Sequence, residues 1–82
     1  MRNLQAEKKI DKYLSGHFFL DPSKYDVTVI GDQAEITGEF INRTSQQPLS
    51  ELRIREVQRF FKRGLVEGVR NYYYHLHPHT YA

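Results

Sequence analysis

The chain has 82 residues and a formal charge of +2, with 27% charged and 39% hydrophobic side chains, which suits one small folded core and is too apolar for a disordered tract. It contains no cysteine, so disulfides, thiolate-bound zinc and a thiol nucleophile are excluded. No apolar run reaches the roughly 18–20 residues that span a bilayer, and the opening stretch MRNLQAEKKIDKYL lacks the apolar core of a secretory signal, so the expectation is a cytoplasmic protein.

Residues Asn3 to Leu14 have a helical pattern. Leu4, Ile10, Tyr13 and Leu14 fall near helical spacing, and Glu7, Lys8, Lys9, Asp11 and Lys12 cover the rest. Gly16 stands where a left-handed cap would end such a helix. His17 to Leu20 is an apolar connector, and Asp21-Pro22-Ser23-Lys24 is a turn, because proline presets φ and Asp and Ser bond back to nearby amides.

The segment KYDVTVIGDQAEITGEFI predicts a β-hairpin closed by Gly31-Asp32. That turn places Ile30 opposite Gln33, Val29 opposite Ala34, Val27 opposite Ile36 and Tyr25 opposite Gly38. The pairs between them, Thr28 with Glu35 and Asp26 with Thr37, are polar. One face is therefore apolar and one wet, as a half-buried hairpin requires. Phe40 continues the apolar face.

After the loop Asn42 to Gln47, Pro48 suits the first turn of a helix. Ile54, Val57, Phe61, Leu65, Val69, Tyr72 and Leu76 recur at steps of three and four, a continuous apolar stripe. The expectation is one long C-terminal helix packed on the hairpin. The competing reading makes Leu52 to Val57 a third strand, since Leu52 and Ile54 alternate with arginines. An unbroken helix to Tyr74 would measure about 39 Å in a domain about 30 Å across. It must therefore break near Gly64 or Gly68, or protrude. The expected fold is α+β in a single domain, residues 1–74, with a histidine-containing tail, residues 75–82.

Charge is unevenly spread. Met1 to Ser15 has four bases and two acids, Gly16 to Gln47 two bases and five acids, and Pro48 onward six bases and three acids. Basic ends flank an acidic middle, a pattern that bears on association. Arg53, Arg55, Arg59, Lys62, Arg63 and Arg70 are the candidate nucleic-acid contacts, because regular bases on an exposed helix can displace counterions from phosphates. Glu51, Glu56 and Glu67 lie within helical reach of four of them, which leaves Arg53 and Lys62 without an expected partner.

Tyr72, Tyr73, Tyr74 and Phe60 are the candidate protein-binding residues. Three consecutive tyrosines on a helix point in three directions, so at least one ring is exposed, and exposed tyrosines favour interfaces. Gly64 and Gly68 would share a helix face and admit close approach of another backbone. His75, His77 and His79 alternate as metal ligands can, but no acid nearby in sequence orients their rings, so no metal site and no cofactor are expected. No nucleophile–base pattern or phosphate loop is present. The expected function is therefore non-catalytic: a small regulatory or inhibitory protein, of the kind phages make, acting on a protein partner or as a homodimer. Nucleic-acid binding is the alternative, and no small-molecule substrate is expected.

Overall fold

Helix α1 begins where Asn3 offers its side chain to the amide of Ala6 at 3.1 Å, and it runs from Leu4 to Lys12. Such caps satisfy one of the orphan donors of a first turn. In the computed structural model, which describes residues 1–77, a π-helical turn over Tyr13–His17 prolongs α1. Gly16 lies inside that turn, and the left-handed position falls instead on Phe19, at φ 61°. The fully buried Leu20 explains the shift: its amide bonds the carbonyl of Leu14 at 3.0 Å, drawing the chain back one turn later than the glycine suggested.

Strands β1 (Tyr25–Ile30) and β2 (Gln33–Gly38) pair antiparallel. Tyr25 stands opposite Gly38, Val27 opposite Ile36, Val29 opposite Ala34 and Ile30 opposite Gln33, the register that alternation predicts. The hairpin is nevertheless only part of a three-stranded mixed sheet of order β1-β2-β3.

The largest departure from expectation lies after Pro48. Helix α2 spans Glu51–Lys62, twelve residues in mid-chain, and β3 spans Asn71–Leu76, parallel to β2. Leu52 to Val57 is thus helical, and the third strand comes later. Pro48 sits outside the helix in an isolated bridge to Ile41, and Ser50 is the cap, its side chain accepting from the amide of Arg53 at 3.2 Å. Gly64 ends the helix. Its φ of +75° is cheap only for glycine, and its amide bonds the carbonyl of Phe61 at 3.2 Å. Gly68 repeats the device at φ +85°. A Cβ at either glycine would meet nothing within 4 Å, so they serve to turn the chain and not to admit a neighbouring backbone.

Both helices cover one face of the sheet. Ile10 and Leu14 of the first helical segment, Val29, Ala34 and Ile36 of the strands, and Val57 and Phe61 of α2 form one buried cluster. Ile54, Tyr72, Tyr74 and Leu76 pack against it partly buried. Asp26, Glu35, Thr37, Tyr73 and His75 occupy the exposed face. Tyr25, also in the core, donates from its hydroxyl to the Asp11 carboxylate at 2.6 Å; burial raises its pKa, and Asp11 adds to the effect.

The sequence pattern puts Glu7 on the wet side of α1, but the residue is only 8% exposed. Its carboxylate accepts from Arg2 at 2.7 and 3.0 Å and from the amide of Val29 at 3.0 Å. The hydrogen bond from Arg2 holds the Glu7 pKa below the usual carboxylate range; partial burial opposes it, and the Val29 amide and the charge of Arg2 reinforce it. Arg2 itself is 59% exposed, so the ion pair contributes little to stability. The buried Val29 amide matters more, since an orphaned donor costs about 1–3 kcal/mol. Glu7→Ala is expected to lower stability by about 2 kcal/mol. Because the folded pKa lies below the unfolded one, the contribution is complete above the unfolded value and is lost as pH falls through the folded value. Urea melts at successive acidic pH values check both points: Glu7→Ala should show a smaller acid-dependent loss than the native chain, the remainder coming from groups such as Asp21, whose pKa hydrogen bonds from Ser23 and Gln46 hold down to about 2.

Candidate functional site

The turn of α2 away from β3 leaves a groove of about 780 Å³ between them. Phe61 lies at its base, its ring 5.2 Å from that of Tyr72. Arg55, Gln58, Arg59 and Lys62 line it from α2, and Arg70, Asn71, Tyr72, Tyr73 and Tyr74 from the strand side. Helical spacing sets Arg55, Arg59 and Lys62 on one face at steps of four and three. The lining holds four bases and no acid.

Helical spacing predicts a glutamate partner for Arg55, Arg59 and Arg70 and none for Arg53 or Lys62, and the geometry differs. On α2 the ion pair is Arg53 with Glu56, at 2.5 Å. Among the described residues Arg55, Arg59, Lys62 and Arg70 make no ion pair within 4 Å. An exposed helix lets a glutamate choose between neighbours three residues either way, and Glu56 bonds Arg53 rather than Arg59.

The hydroxyls of Tyr72 and Tyr74 are buried without a hydrogen-bond partner among the described residues. Burial raises the pKa of both, and Tyr72 pushes that of Tyr74 further. Both therefore stay protonated at neutral pH. Four unpaired bases around the groove suit a negatively charged, acceptor-rich ligand.

The candidate residues read from the sequence divide into two places. Arg55, Arg59, Lys62, Arg70 and the three tyrosines come together at the groove. Phe60, Arg53 and Arg63 lie on another side of α2, with His17 and Phe18. There the His17 ring stacks on Phe60 at 4.7 Å and 3°, the Arg53 guanidinium lies 5.5 Å from the Phe18 ring, and that of Arg63 lies 5.8 Å from Phe60. Arg59 borders both places. On a strand the tyrosines alternate, so Tyr72 and Tyr74 turn to the core face and Tyr73, 45% exposed, to the other. Sequence reasoning missed Gln58 and Asn71 as groove residues. NYYYHL follows two glycines and is rich in aromatic residues that favour strands, a signal that competes with the helical spacing of Val69, Tyr72 and Leu76.

His75 falls within β3, and its Nε2 lies 3.2 Å from the Glu35 carboxylate on the neighbouring strand. An acid does stand beside it, brought there by sheet pairing rather than by sequence proximity. His79 lies outside the described residues.

Comparison of the chain with family models, with curated proteins and with solved structures gives no match.

Proposed function

We propose that this chain is a small non-catalytic regulatory or inhibitory protein that binds another protein through the groove between α2 and β3. The observation that carries the reading is the groove itself: four bases and no acid around an aromatic floor, beside a strand whose far side pairs with no chain among the described residues. Buried aromatic anchors ringed by arginine are the side chains that dominate protein interfaces.

Nucleic-acid binding is the second reading, favoured by the convergence of Arg55, Arg59, Lys62 and Arg70. Single-stranded nucleic acid is held by stacking its bases on exposed rings while bases of the protein hold the phosphates. Of the three tyrosines that line the groove only Tyr73, at 45%, is exposed, which offers a single stacking surface beside the bases. Open strand edges, by contrast, offer main-chain groups that a polypeptide matches.

Selection of linear peptides from a random display library tests the choice. The native chain is expected to enrich peptides whose solution affinity falls about ten-fold or more in Arg59→Glu/Lys62→Glu, a loss of about 1.4 kcal/mol or more. The reading is abandoned if no enriched peptide responds to the double substitution. Binding of labelled single- or double-stranded nucleic acid at about 50 mM salt, lost at higher salt and in the double variant, would establish the second reading instead.

A further inference from the structure

The two edges of the sheet are treated differently. At the β1 edge, both outward backbone groups of Val29 are taken: its carbonyl accepts from the Asn3 amide at 2.8 Å, and its amide donates to Glu7 at 3.0 Å. Arg2 bridges Ile30, and the Gly31 amide bonds the carbonyl of Met1 at 3.2 Å. Among the described residues the β3 edge has no such cover.

The ladder fixes which groups are unused there. The amides of Asn71 and His77 donate to Asp32 and Gly38, towards β2. Alternation then turns Tyr73 and His75 the same way and leaves the N–H and C=O of Tyr72, Tyr74 and Leu76 pointing outward. β3 reads NYYYHL, with no lysine, proline or bulge, the usual protections of an exposed edge.

A strand added at this edge would lay alternate side chains on the core side of the sheet, in the groove beside α2. Two residues of strand advance about 6.7 Å, and the four-residue step from Arg55 to Arg59 advances about 6 Å along the helix. Carboxylates at every second position of such a strand would therefore be spaced much as Arg55 and Arg59 are. Charge also argues against a second copy as the occupant, because pairing β3 with its own copy would bring two sets of four unpaired bases together.

We infer that the partner supplies an extended segment with acidic residues at alternate positions, which adds to β3 as a fourth strand and sets its carboxylates against Arg55, Arg59 and Lys62. This deepens the protein-binding reading above and rests on it.

The test uses the full chain, isotopically labelled, and three synthetic peptides: one alternating glutamate with valine or threonine, one of equal composition with its acids clustered, and one alternating but N-methylated along both edges. Expected results are binding of the alternating peptide at least ten-fold tighter than the clustered one, no binding of the methylated one, and amide hydrogen exchange slowed at least ten-fold at Tyr72, Tyr74 and Leu76. Binding that tolerates methylation and leaves those three amides unprotected overturns strand addition, while the groove remains a protein-binding site. If the alternating peptide fails to bind at millimolar concentration although library-selected peptides do, the acidic pattern is wrong and the inference falls. Failure of every peptide, with nucleic acid bound, removes the protein-binding reading as well.

Discussion

Phe61→Ala is expected to lower the free energy of unfolding by about 3–5 kcal/mol. The side chain is 1% exposed and joins three parts of the molecule. Its ring lies 6.1 Å from Tyr13 at the end of the first helical segment, 5.4 Å from Phe60 beside it on α2, and 5.2 Å from Tyr72 on β3. Truncation leaves a cavity between elements that cannot all collapse inward together, so the transfer loss and the cavity term add. Small domains have total stabilities towards the lower end of about 5–15 kcal/mol, so a substantial unfolded population should appear near physiological temperature. Denaturant melts followed by circular dichroism measure the loss. Phe60→Ala supplies the internal comparison: that ring is only half-buried, and its removal should cost clearly less. Equal losses would mean that Phe61 is not the pivot between α2 and β3.

Gly38→Ala is expected to cost about 3 kcal/mol or more, from backbone strain of about 1–3 kcal/mol and a clash added to it. Gly38 has φ +113°, a conformation closed to side-chain-bearing residues, and an added Cβ would fall inside contact distance of the Lys24 carbonyl oxygen and 2.9 Å from the Cα of Tyr25. Those atoms are backbone and cannot swing aside. The same corner holds the amide of Glu39 on the Lys24 carbonyl at 2.9 Å and that of His77 on the Gly38 carbonyl at 2.8 Å, so movement there disturbs the ends of all three strands. Gly64→Ala separates strain from clash. Its φ is +75° but nothing lies within 4 Å of the added atom, so only the left-handed penalty of about 1–2 kcal/mol applies. Thermal melts should rank Gly38→Ala well below Gly64→Ala; the reverse order would mean that the approach of Lys24 to Gly38 is not a constraint of the folded state.

Half of the candidate groove is legible in the sequence. Arg55, Arg59 and Lys62 lie at helical steps within a helix that is present, so their common face followed from periodicity. Periodicity places Arg70 with them, and the tyrosines in a separate binding set, as further turns of the same helix, which they are not. They reach the groove because the chain reverses after Gly64 and returns beside α2 as a strand. Phe60 had the opposite fate. Expected as a partner-binding ring beside the tyrosines, it lies half-buried on another side of α2 among Tyr13, His17 and Phe18, rings supplied by a segment far away in sequence.

What the sequence determined by itself is what short-range physics controls. The first helix starts at its asparagine cap, the β1–β2 register follows from a two-residue turn and strict alternation, and the apolar stripe of α2 buries Val57 and Phe61. The tertiary structure alone decided the fate of residues 71–76. Val69, Tyr72 and Leu76 fit a helical period, while Tyr72, Tyr74 and Leu76 fit a strand period, so the local pattern supports either. The parallel ladder to Gln33–Gly38 resolves it, because the free edge of β2 offers hydrogen bonds that only an extended chain can accept, and no local sequence pattern reports that an edge elsewhere is waiting.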